Sequence, residues 1–377
     1  MIRLERRLEQ PWWLSVVVPV GSLAVAFAVM AVVLAVTGHN PGGTYKKMLE
    51  AGFTGNGALS ATLISATPIL FTGLAAAAAF RMQLFNIGAE GQLYLGAVGG
   101  SWVALQLGDH DAGSTPLFVL AMCVAAGVMG ALWALIPAVL RAFANTNEII
   151  TSLMLNYVAG YLITYLIFDS ASYWRDVSTL QARAFPQGKP VPPGAEWSTF
   201  GSSLVVPLGL LVGLVVAAAL WVLYSRTRFG FEVSVIADSP RAARYSGMRT
   251  RRKILAVMAI SGGIAGLGGA SQIGDFTYTL DPTGLQGAAF GYTGIVVAAL
   301  ARYNPFAVCL MAVLLGGLQN AGFTLQGVDF PSGLVGVLQG IILFCALGGE
   351  LLLRYGFRSR RGTRKPADTG PATEPAR

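Results

Sequence analysis

The chain has 377 residues, 54% of them hydrophobic and 12% charged, with a formal net charge of +8. Soluble domains carry about 25% charged residues, so the composition excludes an ordinary soluble enzyme and defines an all-α polytopic membrane protein with one embedded domain. No soluble region is large enough for a nucleic-acid-reading module, so the basic charge speaks of membrane orientation and anionic lipid, with no nucleic-acid partner.

The apolar runs predict about ten transmembrane helices, near residues 12–37, 59–80, 92–107, 116–140, 149–168, 203–225, 254–272, 287–301, 305–322 and 332–353. The runs at 92–107 and 287–322 are short, which leaves nine or eleven open. The first run, behind "MIRLERRLEQ", is too long for a signal-peptide core and lacks a small-residue cleavage site. It reads as a retained helix with Trp12 and Trp13 at the interface. With the N-terminus cytoplasmic, only Lys46, Lys47, Arg175, Arg183 and Lys189 fall outside, leaving 21 of the 26 Lys and Arg inside. Both termini are therefore expected in the cytoplasm, with a permease-sized membrane domain over 1–353 and a basic tail over 354–377.

Outside segment 38–58 is loop-like around a short helix near Tyr45–Ala51. The stretch "FNIGAEGQ", residues 85–92, then sets a carboxylate, two amides and two glycines between strongly apolar runs. Asn86 can cap a helix, Gly88 and Gly91 allow a bend, and Glu90 falls in a first turn, where the positive helix end favours it. Two readings stay open: a capped loop at the membrane surface, or a break dipping inward. The second is tolerated only where the backbone is buried in protein or lines a water-filled cavity.

Segment 169–202 holds Pro186, Pro190, Pro192 and Pro193 with Trp174 and Trp197, and shows no long period. It is either a cap on the membrane face or a docking surface for an external partner. Segment 226–253 carries eight basic and two acidic residues. Within it Ser239 suits an N-cap, Pro240 the first helical position and Gly247 a left-handed stop, which predicts a helix of about two turns. So short a helix needs packing to persist, which favours a partner-contact helix over an ordinary basic loop. Beyond about Arg361 the tail has a disordered composition.

Gly262 and Gly266, and Gly336 and Gly340, have the four-residue spacing that lets helices approach closely in lipid. "GLGGAS" at 266–271 has the same use and lacks the context of a dinucleotide loop. Cys123, Cys309 and Cys345 are widely separated within spans, so neither a disulfide nor a metal site is expected, and His39 and His110 fall in outside loops. There is no phosphate-binding loop, zinc-protease motif or nucleophile elbow, hence no catalytic residue and no enzyme.

The centres of the predicted spans carry no charge; Glu90, Glu148 and Glu350 lie at inside ends. The spans instead hold amides: Gln92, Gln106, Asn156, Gln272, Gln319, Asn320 and Gln339. Such groups bond helix to helix, and together would also suit a path for a neutral, hydroxyl-rich solute. The chain offers a pathway without an engine. A self-sufficient secondary transporter or channel is the competing reading, and missing intramembrane charge counts against its proton-driven form.

"FNIGAEGQLYLGA" with "NEIITSLMLNYVAGYL" at 147–162 resembles the ABC-importer permeases of the branched-chain amino acid, ribose and nucleoside class, closest to the nucleoside branch. "RTRFGFEVSVIADSPRAARYSGM" at 226–248 resembles the stretch these permeases present to their ATPase, with Ser234 and Ser239 standing where Arg and Asn would be expected. The likeness covers roughly 40–350. It implies a bacterial inner-membrane importer of nucleosides or related polar solutes such as simple sugars. ATP and Mg would sit on a partner ATPase, with no cofactor in this chain. A shorter permease paralogue in a heterodimer and an external solute-binding lipoprotein complete the implied assembly. Asn86, Gly88, Glu90, Gln92 and Asn156 are the expected pathway or gate residues, and Ser239, Pro240, Arg241, Arg244 and Gly247 the ATPase contact.

Overall fold

The computed structural model describes residues 2–6, 14–107, 116–325 and 333–359. Trp12, Trp13, His110 and the tail beyond 359 lie outside them. In chain order the helices are α1 (Leu14–Val36), α2 (Pro41–Leu49), α3 (Ala58–Phe80), α4 (Ala89–Leu107), α5 (Pro116–Ala144), α6 (Glu148–Thr164), α7 (Leu180–Ala184) and α8 (Leu208–Arg226). They continue as α9 (Arg228–Asp238), α10 (Pro240–Tyr245), α11 (Thr250–Gln272), α12 (Pro282–Ala288), α13 (Phe290–Leu300), α14 (Pro305–Leu325) and α15 (Leu334–Arg354). Wider π-helical turns extend α2, α6 and α11 through Glu50–Thr54, Tyr165–Asp169 and Ile273–Thr277. Among the described residues seven helices are long and apolar enough to cross a membrane, with shorter apolar stretches at Val20–Val36 and Gly336–Cys345. A strand, β1 (Ile2–Arg6), pairs antiparallel with another, Tyr355–Ser359, so the segment before α1 meets the one after α15.

Helix α3 is the axis of the fold. It is buried along nearly its whole length and packs on α11, α13, α14 and α8. The closest crossing is that of α5 with α11, where small residues face each other: a Cβ on Gly262 would strike the Gly130 backbone, and one on Gly266 the Ala126 carbonyl. Gly269 lies equally tight on Leu93 and Ala97 of α4, so the 266–271 stretch is a packing surface. Close approach of this kind lets van der Waals contact drive association where lipid gives no hydrophobic push. Gly336 and Gly340 do not share that role, since a Cβ on either would meet open space. Both stand on an exposed side of α15, where no described residue packs on them.

Three predicted spans change shape. The third begins at Ala89 rather than 92. The seventh runs on through the π turn to Thr277 and so brings Asp275 into its buried end. The eighth is two pieces, because Ala289 adopts a left-handed φ of 51° and separates α12 from α13. The 226–253 connection also holds more helix than expected, since α9 precedes α10 and Glu232 on it pairs with Lys253 at 2.6 Å.

Segment 170–207 is a cap over the ends of α4 and α11. Trp174 Nε1 donates to Ser101 Oγ at 3.1 Å, Tyr173 to the Leu105 carbonyl at 3.0 Å, and the Val191 N–H to the Tyr278 carbonyl at 2.7 Å. Trp197 is buried against Gly274, where a Cβ would collide with the indole.

Candidate functional site

The expected gate residues converge on a buried joint. Between α3 and α4 the chain turns back without regular structure, and Asn86, Glu90 and Gln92 are all at most 2% exposed. Asn86 and Gln92 form a reciprocal amide pair, each Nδ2 or Nε2 donating to the other's carbonyl at 2.9 Å. Asn86 Nδ2 also donates to Ser261 Oγ at 2.9 Å, and Ser261 in turn to the Ala75 carbonyl at 2.7 Å, tying the break to α11 and α3. Asn86 is thus not the helix cap expected of it. Its Oδ1 accepts from the Gly88 N–H two residues on, and its remaining capacity is taken by other elements. Gly88 and Gly91 are not bends of positive φ either. They are small because neighbours are close: a Cβ on Gly91 would lie 3.1 Å from Asn156, and one on Gly88 2.9 Å from Gln92.

Asn156 of α6 closes the other side. Its Oδ1 accepts from the Gly91 N–H at 2.9 Å, while Nδ2 donates to the Ile87 carbonyl at 2.8 Å and the Tyr292 hydroxyl at 3.3 Å.

Glu90 belongs to the first turn of α4 but serves a different helix. Oε2 accepts from the Gly291 N–H at the start of α13, and Oε1 from the Tyr94 hydroxyl at 2.7 Å. A carboxylate aimed at a helix N-terminus meets unpaired N–H groups and the positive end of the dipole. Thr72, eight residues before the end of α3, donates to the Phe290 carbonyl at 2.9 Å, which fixes the level of the joint. At the other end of α13 the Tyr303 carbonyl accepts from Arg81 Nε at 3.2 Å. Glu90 is therefore buried inside the bundle, and the break from Asn86 to Gln92 is enclosed by protein. Buried helix starts persist because side chains satisfy them.

Most of the other amides join helices: Gln319 donates to the Ala288 carbonyl at 2.7 Å and Asn320 to the Ala51 carbonyl at 3.1 Å. Glu148 pairs with Arg141 at 3.2 Å. One buried carboxylate escaped the sequence reading. Asp275 Oδ2 accepts from the Gly209 N–H of α8 at 3.0 Å, and its Oδ1 has no partner. The apolar run stops at Gln272, and only the π turn beyond carries Asp275 into the interior.

The second expected site, around α10, is built as its sequence suggests. Ser239 Oγ accepts from the Ala242 N–H at 3.3 Å, Pro240 opens the helix, and Gly247 stands at φ 76°. Only Ala243 is buried, while Arg241 and Arg244 are exposed and Tyr245 is 94% exposed. Nothing local in the sequence marks Tyr245 as so exposed a residue. Pro240 and Arg244 line a groove of about 850 Å³ with Gln83, Leu84, Arg141 and Arg252. Gly247 lines a second, of about 780 Å³, with Arg249 and Lys253. The joint and the helix are separate places, linked through Gln83 and Leu84, which directly precede the break.

A helical bundle with seven helices long and apolar enough to cross a membrane, a broken-helix joint inside it and an exposed capped helix at one end has the frame of a membrane transport subunit. The family described as branched-chain amino acid transport system / permease component matches residues 58–347, and the chain belongs to it. The glucose ABC transporter permease protein TsgB13 of Haloferax volcanii is 34% identical over 387 residues, 97% of both chains. The guanosine permease protein NupP of Bacillus subtilis is 31% identical over 350 residues, 92% of this chain and 97% of its own. The nucleoside permease protein NupB of Lactococcus lactis is 28% identical over 337 residues, 88% and 90% of the two chains. No solved structure matches. The chain is thus a multi-pass permease subunit of an ABC transporter, a carrier of solute rather than an enzyme.

Proposed function

We propose that the chain forms half of an inward path for nucleosides through a bacterial inner membrane, driven by ATP and Mg on a partner ATPase that docks on α10. The carrying observation is α10 itself: a capped helix held by one buried residue, with Arg241, Arg244 and Tyr245 left exposed beside a groove that reaches Gln83 and Leu84. Displacement of α10 would push on the connection into residues 85–92 and so on Glu90, Asn156 and the start of α13. Gly247 allows the turn that follows α10, and Ser239 holds its start.

The nucleoside reading rests on NupP and NupB; TsgB13 favours a sugar as the alternative. A shorter second permease would complete the path, and an external solute-binding protein would deliver cargo onto the 169–202 cap. Pairing of β1 with the strand at Tyr355–Ser359 supports an even number of crossings, ten in this reading, with both termini in the cytoplasm. The unit then comprises membrane domain 1–353, coupling segment 226–253 and tail 354–377.

The test is uptake of labelled guanosine by cells expressing the complete system. Arg241→Glu with Arg244→Glu should abolish uptake and ATPase co-purification while the permease still reaches the membrane. Unchanged uptake and assembly would refute the coupling role.

A further inference from the structure

The exposed faces of α5 and α6 differ by one line of residues. Helix α5 exposes Leu120, Val124, Val128, Leu132 and Ile136, an aliphatic stripe suited to lipid tails. Helix α6 also exposes aliphatic Ile150, Met154, Val158 and Leu162, but beside them runs a line of tyrosines, Tyr157, Tyr161 and Tyr165, at 58%, 74% and 55%, each one turn beyond the last. At 1.5 Å per residue they stand about 14, 20 and 26 Å from Glu148 along the helix. Tyrosine is favoured in the two interfacial belts of a core about 30 Å thick. Such a belt accounts for Tyr165, but Tyr157 and Tyr161 lie between the belts.

None of the three hydroxyls is hydrogen-bonded among the described residues. A hydroxyl in hydrocarbon without a partner is costly, and three along one line would multiply that cost for no gain in packing. Polar groups border the stripe. Gln286 of α12 donates to Thr164 Oγ1 at 3.0 Å, and the half-exposed Tyr292 accepts from Asn156, the residue beside Tyr157. From Tyr165 the stripe runs down to the Glu90 joint without a charge, and the exposed Asp169 stands one turn beyond Tyr165 at its far end.

We infer that Tyr157, Tyr161 and Tyr165 wall the solute path, their rings stacking on a planar base and their hydroxyls bonding the polar edges of a neutral nucleoside. Aromatic faces accept any base, and each stack adds affinity that its loss removes. This deepens the permease reading above and rests on it. With no charged side chain between Tyr157 and Tyr165 and a carboxylate, Asp169, at the far end, the stripe suits an uncharged nucleoside and disfavours a nucleotide.

The test uses the complete importer in vesicles, with Cys123, Cys309 and Cys345 replaced by Ala and a single cysteine introduced by Tyr157→Cys, Tyr161→Cys or Val128→Cys. A charged, water-soluble methanethiosulfonate should modify positions 157 and 161, spare 128, and react more slowly in the presence of guanosine. Modification at 128 as fast as at 161, or an unreactive 161, would overturn the inference, the latter placing the stripe against lipid or the second permease. Protection by glucose but not guanosine would overturn the stacking assignment. Tyr161→Leu should raise the KM for guanosine roughly tenfold, and Tyr161→Phe, which keeps the ring, much less; equal KM values in all three would also refute it. Uptake by the cysteine-free parent is measured alongside, so loss of transport itself, which bears on the permease reading, is told apart from failure of the stripe.

Discussion

Glu90 and Asp275 use the same device with different consequences. Each is a buried carboxylate reaching from one helix to the N-terminus of another, Glu90 to Gly291 of α13 and Asp275 to Gly209 of α8. Glu90 has both oxygens engaged, and its neighbours Asn86, Gln92 and Asn156 bind one another and the backbone around it. Asp275 engages one oxygen and leaves the other without a partner beneath the 170–207 cap. Satisfaction makes the first a structural hub, whereas the second is a local cap carrying an energetic penalty. The difference teaches that a buried charge stabilises in proportion to the network around it, not to its burial.

Substitutions can break or sharpen that contrast. Glu90→Ala strands the Gly291 N–H and the Tyr94 hydroxyl in the interior, at about 1–3 kcal/mol for each group left unpaired. It should give the largest drop in thermal unfolding midpoint of the detergent-solubilised protein, with loss of uptake. Asn156→Ala removes three hydrogen bonds and should cost about 3 kcal/mol, at about 1 kcal/mol each. Asp275→Ala loses the Gly209 contact and should cost about 1–2 kcal/mol. Asp275→Asn keeps an acceptor for Gly209 and removes a buried charge, so its midpoint should match the parent or exceed it, a change within about 1 kcal/mol. If Asp275→Asn destabilised as much as Glu90→Ala, the two carboxylates would be equivalent and the contrast would fail.

Local features were legible in the sequence. Ser239, Pro240 and Gly247 mark the start and stop of α10 because caps act within a few residues, and "FNIGAEGQ" announces a break because polar groups and glycines interrupt an apolar run. The function of Glu90 was not legible, since its partner Gly291 is 201 residues away and nothing in the local pattern points there. Asp275 was missed because hydropathy ends the span at Gln272, while the π turn continues it through packing. The break at Ala289 is carried by a non-glycine residue at positive φ, which no turn rule would choose over Gly287 nearby. Long-range joints are set by tertiary contacts, and the sequence announces only that something must satisfy them.

The most direct test of ATP-powered conduction is accumulation of labelled guanosine in sealed vesicles. The complete assembly of both permeases, ATPase and solute-binding protein should accumulate it against a gradient only when ATP is supplied on the ATPase side, and vesicles holding this chain alone should not accumulate it under any ion gradient. Accumulation by the chain alone, without ATP, would contradict a permease that takes its energy from a partner.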